Sequence, residues 1–160
     1  MICVVQRVSS ASVRVEESTV GAIRAGLLAL IGVVPADDGA DVAYIAERLS
    51  TLRIFSDAEG PDGRMNLSVE DVGGALLLVP QFTLVADTRR GRRPSFSRAA
   101  PPEQAKRIFE ALVVMLKKGS IPVHTGEFGA AMEVELVNDG PVTLILDSAR
   151  SRGSVRGDPA

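Results

Sequence analysis

The chain has 160 residues, 46% hydrophobic and 24% charged, which suits one domain with an apolar core and not a disordered chain. One cysteine and one histidine exclude an intrachain disulfide, a cysteine-rich zinc site and a multi-histidine metal centre within one chain. A formal charge of −2 argues against a broad non-specific grip on nucleic acid. No run approaches the roughly 18 apolar residues of a membrane span, and the opening MICVVQRVSS lacks a signal-peptide layout, so the expected location is the cytoplasm.

Residues 2–8 (ICVVQRV) and 11–16 (ASVRVE) are β-branched runs separated by Ser9 and Ser10, and they read as two strands. A further strand covers residues 20–23. Another covers 27–34, apolar throughout, as a strand buried on both faces would be. After the PADDG loop at 35–39, Asp41 is placed to cap a helix with Val42, Ile45, Leu49 and Leu52 at helical spacing. SDAEGPDG at 56–63 is the strongest loop signal. ALLLVPQFTLV at 75–85 predicts a buried strand, and Pro80 makes it an edge, bulged or ended nearby. A polar, basic segment fills 86–98. Prolines and Gly119 bound a second helix over 102–118, with Ile108, Leu112, Met115 and Leu116 as its buried stripe. Strands at 130–137 and 142–147 are joined by Asn138-Asp139-Gly140-Pro141, and 148–160 reads as a flexible tail. The pattern is α/β or α+β, with about six strands and two main helices.

Residues able to carry chemistry are few. His124 follows the second helix and reads more readily as a surface or hydrogen-bonded structural residue than as a catalytic one. Cys3 lies in an apolar strand with no adjacent base, as an inert core thiol would. Glu133 and Glu135 fit the wet face of a sheet. The segment 86–98 holds five arginines, Arg89, Arg90, Arg92, Arg93 and Arg98, against one acid, Asp87. It is either a solvated loop or a local phosphate-binding patch, since arginine offers phosphate a bidentate fork. On a strand, Gln81 and Thr83 share one face and Phe82 takes the other, so the polar pair either orients a carbonyl or merely ends a strand. Asn138 to Pro141 looks like a hairpin turn. Alternatively it is a rigid corner, because a Gly-Pro bond can be cis at modest cost and leaves backbone carbonyls open to a ligand.

Across nearly its whole length the chain resembles the D-aminoacyl-tRNA deacylases. The resemblance rests on VVQRVSSASV near the start, RMNLS at 64–68, PQFTL at 80–84, GRRPSF at 91–96 and TGEFGAAMEVELVNDGPVT at 125–143. It implies one compact α/β domain over 1–147, built on a mixed sheet or partial barrel with two main helices, and an obligate-type homodimer. It implies hydrolysis of D-aminoacyl-tRNA without cofactor or metal, and glycyl-tRNA, with no side chain to be excluded, is expected to be hydrolysed as well. The partner is the aminoacylated 3′ end of tRNA, with no DNA or membrane.

By the same resemblance Gln81, Phe82 and Thr83 line the ester site, and Gly140 and Pro141 form a cis corner contributed by the other subunit. Arg7 holds that corner, and Phe128 and Met132 line the pocket of the terminal adenosine. Arg89, Arg90, Arg92 and Arg93 are the expected phosphate contacts. Pro80 replaces a usual serine of the family, His124 a glutamine and Ala131 an aspartate. A relative shifted toward achiral or L-aminoacyl substrates, and a non-catalytic binder of RNA ends, are the competing readings.

Overall fold

The longest strands organise the rest. In the computed structural model, which describes residues 1–58, 63–89 and 91–151, β1 (Ile2–Val15) runs through Ser9 and Ser10 without a break. Both serines are exposed and Ser10 is paired across the ladder, so solvent-facing polar side chains do not end the strand. One edge of β1 carries β2 (Ser18–Ile23) and β3 (Gly26–Gly32) in succession; the other carries β8 (Glu133–Asp147) along almost its full length. The sheet order β2-β1-β3-β6-β7 is completed by β6 (Ala75–Pro80) and β7 (Val123–Thr125), with β3, β6 and β7 parallel.

The parallel pairs need crossovers, and helices supply them. Helix α1 (Gly39–Thr51) lies between β3 and β6 in sequence, and α2 (Pro102–Leu116) between β6 and β7. Beyond β7 the sheet curls toward β2. A Cβ on Gly21 of β2 would stand 2.7 Å from the Thr125 carbonyl oxygen of β7. The result is one α/β domain with a nearly closed mixed sheet.

Period-two alternation divides the core. Leu76 and Leu78 join Leu27, Ala29 and Ile31 against Ile45, Leu49, Phe109 and Leu112 of the helices, whereas Leu77 and Val79 pack with Leu28, Val8 and Val13 inside the curl. Burial on both faces explains the unbroken apolar runs of β3 and β6.

Four local expectations change. The helix cap is Asp38, not Asp41: its carboxylate accepts from Ala40 N at 2.8 Å, and the Asp41 side chain returns the bond to Asp38 N at 2.8 Å. Asp41 is the third residue of a capping box. The buried stripe of α2 is Ala105, Phe109, Leu112 and Leu116, while Met115 is exposed.

Residues 130–137 and 142–147 are not a hairpin. The strand starts at Glu133 and not at 130, and 133–138 and 143–147 both pair with β1 in the same antiparallel sense, so the corner is an outward bulge in one strand: Gln6 faces Thr143, Val8 faces Asn138, and 139–142 loop out opposite Arg7. The chain past 147 opens with a helical turn, α3 (Ser148–Ser151). Ser148 is buried there, its hydroxyl and backbone bonded to Met1, whose ammonium also pairs with the buried Asp37. The rest of the expected tail, 152–160, lies outside the described residues.

A short hairpin, β4 (Phe55–Ser56) and β5 (Met65–Leu67), flanks the loop expected at 56–63. Among the described residues no helix is long and apolar enough to cross a membrane.

Candidate active site

Strand β6 stops at Pro80. Gln81 N still donates to Ile31 O at 2.7 Å, but Leu84 N then donates to Gln81 O at 3.2 Å and Ala86 N to Thr83 O at 3.1 Å. Phe82–Val85 is therefore a 3-10 turn, not a strand continuing to Val85. With no N–H on Pro80, the ladder loses a donor just where the chain turns. The face assignment changes with it. Gln81 Nε2 donates to Thr83 Oγ1, and Phe82 is 55% exposed. Among the described residues no carboxylate or imidazole is bonded to the Thr83 hydroxyl, so the side chain has no partner able to take its proton.

The turn forms one wall of a cavity of about 670 Å³ at the carboxyl ends of β3 and β6. Such ends are where open α/β sheets characteristically bind ligands. Gln81, Phe82, Phe128 and Met132 all line it; Thr83, Arg7, Gly140 and Pro141 of the same chain do not. Sequence reasoning missed Phe96 and Phe109, which also face the cavity. The spacing 105, 109, 112, 116 held a signal for Phe109. Phe96 closes the GRRPSF motif, without a periodicity to place it.

Phe96 is delivered by a strap whose described residues are 86–89 and 91–100. Asp87 and Ser95 exchange backbone bonds at 2.8 and 2.9 Å, and Ala100 N donates to Val33 O at 3.0 Å. Arg89 is engaged inside this strap: its Nε and Nη2 donate to the Asp87 carboxylate at 3.0 and 2.7 Å. Those bonds, with the Arg89 backbone N–H and the nearby Arg98 charge, hold the Asp87 carboxyl well below the ordinary carboxylate range. Arg92 and Arg93 are exposed, and Arg90 lies outside the described residues.

The other constellation sits on the β1–β8 bulge. The Gly140–Pro141 peptide is cis, and Gly140 has φ +126°, a region that L side chains rarely adopt. A Cβ there would also stand 2.9 Å from Arg7 Nη2. Arg7 Nε contacts the Asp139 carbonyl at 3.2 Å and its carboxylate at 3.1 Å, while Nη1 donates to Ile54 O at 2.5 Å. Asn138 Oδ1 accepts from Val142 N at 2.9 Å, closing the corner from its far side. Both Gly140 and Pro141 are exposed.

His124 is exposed on β7, opposite Leu77, outside the cavity. Cys3 is fully buried, and burial pushes its thiol far up, away from nucleophilic use. Glu133 and Glu135 are exposed on β8.

The family model described as D-Tyr-tRNA(Tyr) deacylase matches residues 4–147. The chain belongs to the D-aminoacyl-tRNA deacylase family. It is 53% identical over 150 residues to the D-aminoacyl-tRNA deacylase of Thermotoga petrophila, covering 94% of this chain and 99% of that protein. Against the deacylase of Chloroflexus aurantiacus, identity is 56% over 152 residues, 95% of this chain and 93% of the relative. Among solved structures, the c-Myc DNA Unwinding Element Binding Protein superposes with a TM-score of 0.84 at 36% identity, covering 92% of this chain and 98% of its own. A probable eukaryotic D-amino acid tRNA deacylase shares the fold, with a TM-score of 0.75 at 16% identity. The enzyme is thus a hydrolase whose substrate is an aminoacyl-tRNA.

Proposed function

We propose that the enzyme works as a cytoplasmic homodimer in which each cavity is completed by the Gly140–Pro141 corner of the second subunit. One observation carries this reading: the cavity and the corner, both built of family motifs, do not meet within one chain. Beside the corner, β8 leaves Val134, Val137 and Ile145 exposed, at 36%, 56% and 72%. Exposed apolar side chains on the strand that carries the corner suit an isologous contact between two copies.

In this reading the terminal adenosine lies against Phe128 and Met132, and the ester reaches Gln81 to Thr83. A D- and an L-amino acid differ in where the side chain leaves Cα. Fixed backbone carbonyls at the corner occupy the direction of an L side chain and leave the D direction open, so discrimination works by exclusion. Glycine, with no side chain, escapes it and is hydrolysed too.

The backbone N–H groups of Phe82 and Thr83 stabilise the oxyanion as water adds to the ester carbonyl. The 2′-hydroxyl of the terminal ribose orients that water. The C–O bond to the ribose then breaks, the 3′-oxygen takes the proton given up by the attacking water, and free amino acid and tRNA leave. Arg92 and Arg93 contact phosphate near the end, with Arg89 contributing only if it leaves Asp87.

Release of free amino acid from D-Tyr-tRNA, L-Tyr-tRNA and glycyl-tRNA tests the reading. Release from the D and glycyl forms alone is expected. Release from the L form at a comparable rate defeats the exclusion scheme.

A further inference from the structure

Four of the chain's five phenylalanines, Phe82, Phe96, Phe109 and Phe128, line one cavity. They form two pairs in unlike surroundings. Phe109 is buried and Phe128 half-buried, with ring centroids 6.5 Å apart. Phe82 and Phe96 meet edge to face at 5.0 Å, yet stay 55% and 40% exposed. An edge-to-face pair leaves one ring face uncovered. The proposed adenosine site uses Phe128 of the inner pair, and the role given to Phe82 lies in its backbone. The hydrolytic scheme leaves the exposed Phe96 ring without a task.

We propose that Phe96 is the stacking platform for the base of the nucleotide preceding the terminal adenosine, so that the enzyme holds two unpaired bases of the tRNA end. The proposal rests on the reading that places the terminal adenosine at Phe128 and Met132. Unpaired RNA bases are characteristically held on aromatic faces. Charge agrees: Arg92 and Arg93, both exposed, lie within four residues of Phe96 in the chain. They suit the phosphodiester that joins the two nucleotides. The platform is also fixed, because the strap is bonded at Asp87–Ser95 on one side of Phe96 and at Ala100–Val33 on the other. A preset ring loses little freedom when a base settles on it.

The test is an unacylated RNA hairpin with a single-stranded 3′ end carrying 2-aminopurine at the penultimate position. Its emission changes on binding wild-type enzyme, fails to change with Phe96→Ala, and changes again with Phe96→Trp. In turnover of a D-aminoacylated end, Phe96→Ala raises KM roughly tenfold to a hundredfold with kcat nearly unchanged, as loss of one base–aromatic stack should. An abasic penultimate nucleotide abolishes the difference between wild type and variant. Equal KM for abasic and natural ends with the wild-type enzyme overturns the proposal. So does a Phe96→Ala defect that follows the amino acid, D-Tyr against D-Ala, and not the base. A Phe96→Ala variant that loses its dimer mass assigns the ring to the subunit contact and also overturns it. Changed 2-aminopurine emission together with a KM that Phe128→Ala leaves unaltered keeps the platform and defeats the placement of the adenosine at Phe128 and Met132 instead.

Discussion

Arg7 and Asp139 are joined twice, through the carbonyl at 3.2 Å and the carboxylate at 3.1 Å, by a guanidinium whose other arm is fixed on the Ile54 carbonyl. The Arg7 side chain is 13% exposed and the Asp139 carboxylate 55%, so the guanidinium is enclosed while its acidic partner meets water. Arg7 therefore sets the position of the bulge without entering the cavity of its own chain. Arg7→Lys keeps the charge but cannot span both arms. It is expected to lower stability by about 1.5–3 kcal/mol, the worth of a hydrogen bond to a charged group, and to raise the rate on L-Tyr-tRNA relative to D-Tyr-tRNA. Urea unfolding and the ratio of the two rates measure this; an unchanged ratio removes Arg7 from the selection.

The buried ion pair between the Met1 ammonium and Asp37 is not part of the cavity lining and should act chiefly on stability. Its carboxylate also accepts from Val34 N at 2.8 Å, tying the amino terminus to the loop before α1. Asp37→Asn leaves a buried cation without its counter-charge, a change that costs about 3–5 kcal/mol in comparable pairs. Thermal unfolding should fall accordingly, with kcat/KM unchanged well below the transition.

Asp87 carries a pH signature. Its carboxyl titrates below its ordinary value because Arg89 bonds the charged form. A depressed carboxylate stabilises the fold above its unfolded pKa, and that contribution is lost as pH falls through the folded value. Arg89→Ala removes the main cause, so the Asp87 resonance in a carbon-detected NMR titration should move up toward the ordinary carboxylate range. A resonance that titrates where it did before shows that Arg89 is not engaged in solution.

The ribose supplies the next prediction. Thr83 Oγ1 accepts from Gln81, and among the described residues no base is bonded to it. Thr83→Ala is expected to lower kcat less than about tenfold, below the range that general-base partners usually supply. A tRNA ending in 2′-deoxyadenosine should be cleaved at least about a hundredfold more slowly. Normal cleavage of the deoxy substrate, with loss of activity in Thr83→Ala, reverses the assignment.

How much of this was legible in the residues depends on how local each cause is. The runs around Leu28 and Leu77 gave buried strands, and the spacing of Val42, Ile45 and Leu49 gave α1, because side-chain periodicity is a local property. Pro80 warned that β6 would fail, but a missing donor does not specify the turn that replaces the strand; the bonds from Leu84 and Ala86 back to Gln81 and Thr83 do. Asn138 to Pro141 reads alike as a hairpin or a bulge, since both favour the same residues. Only the distant partner β1, facing Thr143 with Gln6 and Asn138 with Val8, decides for a bulge. The cavity itself joins segments from β3, β6, the strap, α2 and the run before β8. Within it, the familiar PQFTL and TGEFG motifs marked two walls, and the pairing of Phe82 with Phe96 was invisible until the strap was folded.

The central claim is that one subunit's corner serves the other's cavity, and mixing two defective chains tests it directly. Gly140→Val places a side chain at φ +126° against Arg7 and Val142, and Ala130→Trp fills a cavity wall. Each variant alone should be folded, dimeric and inactive on D-Tyr-tRNA. After subunit exchange, activity should return to about a quarter of the wild-type value, because half the dimers are mixed and a two-fold interface gives each of them one intact site. A mixture that forms mixed dimers yet stays inactive contradicts the account, since it places corner and cavity in the same chain.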